Sequence, residues 1–212
     1  MTKKKILFTG ITCRNSDYIH TPLIEIVDAD VDGELQEAIE DLKDDDILLF
    51  TSRFAAIYWK RMLLKTEHDW NNSRIVSIGK TTTTTLQAMG ATGIEECRKD
   101  DSYGVIDHFR MTDNHHRVVF PRSDLALDII PNGLREMGFK VKTIVAYRNI
   151  MPQNPVQVDL STIRKIIFTS PSTIDNFIRI YGELPRDMEY ETRGAITQAH
   201  LEKQLSQNHQ DK

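Results

Sequence analysis

The chain has 212 residues, of which 27% are charged and 40% hydrophobic, and a formal net charge of -4 at pH 7. This gives room for one large domain or two small ones with a sizeable core, and the balance excludes global disorder. No apolar stretch approaches the roughly 20 residues of a membrane-spanning helix, and the acidic balance argues against nonspecific nucleic-acid binding, which rests on a basic surplus.

The basic start at residues 1–5 is followed by an apolar run of residues 6–8 only, too short for a signal peptide, so the protein is expected in the cytoplasm. In chain order, short aliphatic runs at 47–50, 75–78, 118–120 and 166–168 each end in a polar turn, as buried strands of a parallel sheet do. Segments 34–42, 55–65, 82–89, 125–137 and 174–181 carry apolar residues at intervals of three and four and are predicted amphipathic helices. Alternation of this kind implies an α/β fold with parallel sheets flanked by helices and right-handed crossovers.

The sequence also resembles itself. Residues 47–52 recur as 165–170, and Gly79-Lys80-Thr81-Thr82 recurs loosely as Gly194-Ala195-Ile196-Thr197, at offsets of 118 and 115. Two similar lobes follow. Extended connectors are expected at 21–26 and at 145–155, where Pro152 and Pro155 disfavour helix. The expected division is a discontinuous first lobe of residues 1–24 and 150–212 and a second lobe of 25–149. The polar tail from Glu202 is expected to fray.

Cys13 and Cys97 stand far apart without partners at ligand spacing, which suggests neither a disulfide framework nor a zinc site. The histidines, including His115-His116 and His209, are not grouped with cysteines or acids, so no metal is expected. Asp44-Asp45-Asp46 is taken as a solvated turn. No nucleophile-elbow pattern occurs. Gly79-Lys80-Thr81 has the ending of a phosphate loop, but Arg74 stands where its first glycine is needed, so nucleotide hydrolysis is set aside.

The local physics of that turn survives. A strand ending in glycine, with Thr81 to Thr85 opening a helix, offers free backbone N–H groups and hydroxyls to an anion, or simply caps the helix. Similar turns follow the other strands at Thr51-Ser52, Pro121-Arg122-Ser123 and Thr169-Ser170-Pro171-Ser172. Ligands of open α/β sheets bind beyond the carboxyl ends of the strands, so the turns are expected to line one cleft. Arg53, Lys80, Arg122, Arg148 and Arg193 accompany them and point to a carboxylate- or phosphate-rich ligand.

Phe50-Thr51-Ser52 with Ala55-Ala56, Ile78-Gly79-Lys80-Thr81-Thr82 with Leu86 and Gly90, Phe120-Pro121-Arg122, Gly138 with Val141, Val145-Ala146-Tyr147-Arg148 and Phe168-Thr169-Ser170-Pro171-Ser172 occur in this order. Together they resemble uroporphyrinogen-III synthase, over residues 21 to about 201. The resemblance implies two α/β lobes joined by a two-stranded linker. It also implies an enzyme, a cyclising lyase that converts hydroxymethylbilane with loss of water and inversion of ring D, without metal or organic cofactor and as a monomer.

On the same resemblance, Tyr147 matches a linker tyrosine suspected of assisting departure of the hydroxyl, with packing as its alternative role. Thr82, Ser170, Ser172 and Thr197 match positions expected to contact substrate carboxylates or to cap the turns that do. Thr51, Ser52, Arg53, Lys80, Thr81, Arg122 and Ser123 complete the expected binding set. Two features depart from the family. Only ten residues separate Thr9-Gly10 from Thr21-Pro22, where a helix is usual, and Arg193-Gly194-Ala195-Ile196-Thr197 replaces the usual pattern near a chain end that lacks a further strand and helix. The first lobe is therefore expected to be shortened. The competing functions are a non-catalytic tetrapyrrole- or polyanion-binding protein of the same fold and, more distantly, a two-lobe sensor or solute-binding protein.

Overall fold

The aliphatic run Ile47–Phe50 forms a strand in which all four side chains are fully buried, as expected of a central parallel strand covered on both faces. In the computed structural model, which describes residues 4–29, 33–66, 68–70 and 73–207, the chain divides into two compact units, residues 27–149 and residues 1–26 with 150–212.

In the larger unit the elements follow as β3 (Glu25–Asp28, begun in the smaller unit), α1 (Glu34–Glu40), β4 (Ile47–Phe50), α2 (Arg53–Thr66), β5 (Arg74–Ser77), α3 (Lys80–Ala88), β6 (Glu95–Glu96), α4 (Ser102–Phe109), β7 (Arg117–Ser123), α5 (Ile129–Glu136) and β8 (Lys140–Ile150). The sheet order is β3-β8-β7-β4-β5-β6, with β4 parallel to both β5 and β7 and β8 parallel to β7. The smaller unit holds β1 (Lys5–Phe8), β2 (Ile19–His20), a short 3-10 turn (Leu160–Thr162), β9 (Ile163–Phe168), α6 (Pro171–Tyr181), β10 (Glu189–Thr192) and α7 (Ala195–Gln207). Its sheet order is β10-β9-β1-β2, all parallel.

Each unit has its own apolar core. Val76, Val118, Phe120, Leu134 and Phe139 belong to that of the larger unit, where Phe50 also meets Trp59 and Trp70 edge-on at 6.1 and 6.3 Å. Leu7, Ile166, Phe168, Ile174 and Phe177 belong to that of the smaller, with Phe168 and Phe177 edge-on at 5.5 Å. Cys97 is buried, and burial with the nearby acids Glu95, Glu96 and Asp100 pushes its thiol up to about 11. Among the described residues no helix is long and apolar enough to cross a membrane, and no group of three or more His, Cys, Asp or Glu could hold a metal ion.

Several expected boundaries shift for local reasons. The helix expected over 125–137 begins only at Ile129, because the Arg122 guanidinium binds the Asp128 carboxylate and the Ala126 carbonyl and holds the preceding residues in a turn. The connector expected to be extended at 145–155 is extended, as the end of β8 to Ile150, with its pairing to β7 reaching Tyr147. The tail expected to fray from Glu202 is helical through Gln207, held by Leu201 in the core and by Ser206 bonding the Glu202 carbonyl. Residues 1–3 and 208–212, including His209, lie outside the described residues. No helix occupies residues 9–18, so β1 and β2 pair in parallel through a ten-residue loop, shorter than the dozen or more residues usual for such a crossover.

Asp46 is not part of a solvated cluster. Its side chain is 2% exposed, and Arg117 binds it in a fork at 3.0 and 2.5 Å while the Lys43 amide donates a third bond. Arg117 also reaches Asp41 at 2.5 Å and holds that carboxyl below its ordinary value. Removing one partner of a buried pair leaves a desolvated charge behind. Replacing Arg117 by Leu should therefore cost about 3–5 kcal/mol, read as a lower denaturant midpoint.

Candidate functional site

The order of the strands defines where each sheet opens. In the larger unit the chain leaves β4 toward β5 and β6, then returns to β7 on the other side, so the order reverses between β4 and β7. In the smaller unit β1 leads to β2 on one side and β9 to β10 on the other, so it reverses between β1 and β9. Crossover helices diverge at such a point and leave a crevice beyond the carboxyl ends of the two strands. Thr51-Ser52 and Thr169-Ser170 follow the ends of β4 and β9, and Gly79 follows the end of neighbouring β5, but Pro121-Arg122-Ser123, expected as a turn, is the last part of β7 itself, paired with β8.

At the β4 end stand Thr51, Ser52 and Arg53, all half-buried, with Arg53 opening α2 and stacked over Phe54 at 4.7 Å. Tyr147, on β8, sends its hydroxyl to Ser52 Oγ at 2.9 Å, and the same oxygen accepts the Phe54 amide at 3.1 Å. The Tyr147 ring is 7% exposed, packed against Phe54 and stacked on Tyr58 at 6.2 Å. Burial raises its phenol above the ordinary tyrosine value, with hydrogen bonding to Ser52 and Ser123 opposing and the Asp124 charge reinforcing the rise. At neutral pH it is a phenol with a proton to donate.

Ser123 and Arg122, at the β7 end, turn inward. Ser123 Oγ donates to Asp124 at 3.1 Å and accepts from the Leu125 amide and the Asn149 side chain. Arg122 is 8% exposed, held by Asp128 and the Ala126 carbonyl and set over Phe120. Both shape the 123–128 turn. Its exposed apolar side chains are Leu125 and Leu127.

The third turn of this unit follows β5. Gly79 takes φ 73 and ψ 141 and starts α3, whose first turn exposes Lys80 and Thr81 and buries Thr82. Thr83, also buried, ties the turn together through Ser77 at 2.8 Å and Glu96 at 2.5 Å. Thr82 is thus a helix-start residue packed inward, and Lys80 carries the exposed charge.

In the smaller unit Ser170 caps α6, with Pro171 at the first helical position, where its missing N–H costs nothing. The Thr169 and Ser170 amides both donate to Thr173 Oγ1, and the Ser170 and Ser172 hydroxyls lie 3.3 Å apart. Gly10, after β1, approaches this turn so closely that a Cβ there would lie 2.7 Å from Thr169. Gly194, φ 89, starts α7 and is followed by buried Thr197, and the Arg193 guanidinium lies over Phe8 at 5.0 Å.

Sequence reasoning missed Phe54, Tyr58 and Asn149, which position Tyr147 and Ser123, and missed Gly10. The signal for Gly10 was present in Thr9-Gly10 directly after an apolar run. None existed for the others, whose roles come from tertiary neighbours. The two strand-turn-helix units β4-α2-β5-α3 and β9-α6-β10-α7 match the internal repeat, with Gly79 and Gly194 both at positive φ before a helix. At φ 73 and ψ 141 a side chain is strained whatever the space around it. Gly79→Ala should cost about 1–3 kcal/mol, seen in urea unfolding.

The family profile described as Uroporphyrinogen-III synthase HemD matches residues 14–209. A mutant uroporphyrinogen III synthase from the extremely thermophilic bacterium Thermus thermophilus is similar in structure with a TM-score of 0.65 at 12% identity, covering 95% of this chain and 89% of that one. Uroporphyrinogen-III synthetase from Helicobacter pylori 26695 gives 0.63 at 19% identity, with the same coverage. No curated protein matches significantly in sequence. At these identities the structural likeness speaks to the fold.

Proposed function

Because the chain belongs to the uroporphyrinogen-III synthase family, we propose that it is a lyase that cyclises hydroxymethylbilane with loss of water and inversion of ring D, in tetrapyrrole biosynthesis. The match over residues 14–209 carries this assignment. The chemistry at the carboxyl ends of β4 and β5 supports it. A linear tetrapyrrole bears many carboxylates, and Lys80, Thr81 and the amides opening α3 are donors suited to them.

Loss of the hydroxyl from the terminal hydroxymethyl group leaves an azafulvenium cation. Ring D attacks it through its substituted carbon, and the resulting spiro intermediate fragments and recloses. A protonated, buried hydroxyl such as that of Tyr147 assists the first step, since a hydroxyl leaves as water only when it receives a proton. The remaining task is positional: the substituted carbon of ring D must lie nearer the cation than its open position does.

Within this proposal Lys80, Thr81, Thr51, Arg53, Ser170 and Ser172 contact substrate carboxylates. Arg122, Ser123, Thr82 and Thr197 shape the turns from within. The chain acts as a cytoplasmic monomer on this small molecule. A non-catalytic tetrapyrrole binder of the same fold is the alternative.

Incubation with freshly generated hydroxymethylbilane, oxidation of the products and separation of the isomers decides between the two. The enzyme yields the inverted isomer III, and a binder leaves only the spontaneous, symmetric isomer I. Lys80→Ala removes an exposed cation and should raise KM roughly fivefold, the equivalent of about 1 kcal/mol, with kcat little changed.

A further inference from the structure

We propose that Ser52 is the group that hands the proton to the departing hydroxyl and that Tyr147 acts behind it as a relay; this rests on the lyase assignment above. Tyr147 is almost fully buried between Phe54 and Tyr58, and its O–H is directed at Ser52 Oγ, 2.9 Å away. Ser52 Oγ also accepts the Phe54 amide at 3.1 Å. A serine oxygen has two acceptor sites and one hydrogen. With both acceptor sites taken, the hydroxyl acts outward as a donor, and two accepted bonds polarise it and make it a better one. Ser52 is also the more exposed of the pair, half-buried at the carboxyl end of β4 where the strand order reverses.

In this step the Ser52 proton passes to the hydroxymethyl oxygen, the carbon–oxygen bond breaks with its electron pair leaving on water, and the pyrrole nitrogen lone pair moves in to form the azafulvenium. Ser52 recovers a proton from Tyr147, which becomes a phenolate. When the final closure restores an aromatic pyrrole, the proton released from the ring carbon returns through Ser52 to Tyr147. Burial makes a lone phenolate costly, but this one forms together with a cation, and the attraction between opposite charges in a poorly hydrated place offsets much of that cost. A serine that served only as a carboxylate anchor would not need a phenol behind it.

The test compares wild type, Ser52→Ala, Tyr147→Phe and the double variant in steady-state turnover of hydroxymethylbilane, with urea midpoints recorded for each. Wild type is read first: if it gives only isomer I, the lyase assignment itself fails, independently of the relay. If wild type gives isomer III, each single variant should lower kcat about tenfold to hundredfold at little change in KM, in keeping with the modest end of acid catalysis. The double variant should lose no more than the worse single, since the two residues act as one unit. Ser52→Thr, which keeps the hydroxyl, should recover most of the rate and serves if Ser52→Ala unfolds. A rise in KM at constant kcat, unchanged turnover in Ser52→Ala, failure of threonine to recover the rate in a folded protein, or losses that multiply in the double variant would each overturn the relay.

Discussion

Parallel pairing of β4 with β7 is the constraint on which the larger unit depends. Ile47 and Leu48 pair with Val118 and Val119, although the strands are separated by helices and strands of intervening chain. All four β4 side chains are fully buried, and such a strand is stable only with neighbours on both edges and layers on both faces. Once β7 takes that place, the crossovers on either side of the junction run apart. The carboxyl end of β4 is left with Thr51, Ser52 and Arg53 half-buried, whereas that of β7 is buried down to Ser123. The Tyr147 hydroxyl meets Ser52 there because β8 pairs alongside β7, bringing together residues 95 apart in the chain.

The same geometry occurs in the smaller unit with fewer parts. β9 and α6 repeat β4 and α2, and β10 and α7 repeat β5 and α3, down to a positive-φ glycine before the second helix. What differs is the way in. β1 reaches β2 through residues 9–18 without a helix, and Thr9, Gly10 and His20 tie that loop down: Thr9 Oγ1 bonds the Ile167 carbonyl at 2.8 Å, and a His20 ring nitrogen lies 2.7 Å from the Gly10 carbonyl. The short crossover is anchored at its ends instead, by Thr9 on the β9 carbonyl of Ile167 and by the Thr21 and Leu23 amides on the carbonyls of Phe8 and Thr9.

The cations that accompany the turns divide into two kinds once their partners are known. Lys80 stands exposed at a helix start, where charge can meet a ligand. Arg122 is spent internally on Asp128 and the Ala126 carbonyl, and Arg117, which sequence reading passed over, is the guanidinium that pairs with buried Asp46. Strand-end position alone did not distinguish ligand contact from scaffold. A guanidinium binds whichever carboxylate the fold brings within reach, and that depends on the path of a turn.

Local pattern was sufficient for the elements whose burial is complete. Residues 47–50, 75–78, 118–120 and 166–168 are uniformly apolar or nearly so and read as strands, and α2 and α6 carry their apolar faces at helical spacing, so the α/β class follows from burial periodicity alone. β10, Glu-Tyr-Glu-Thr, was illegible because this edge strand no more than half-buries Tyr190 and Thr192, and its other two residues are exposed charges paired with Lys165. Residues 125–128 read as helix because Leu127 continues the three- and four-residue spacing of Ile130, Leu134 and Met137, whereas the Arg122 bonds and those accepted by Ser123 from Leu125 and Ala126 hold them in a turn. Composition and order along the chain thus determined these four buried strands, the glycine turns, the repeat and the hydroxyls at the strand ends. Tertiary structure alone decided which hydroxyls touch, which cations face inward and that Tyr147 meets Ser52, because hydrogen-bond partners are set by distances between segments that no local spacing encodes.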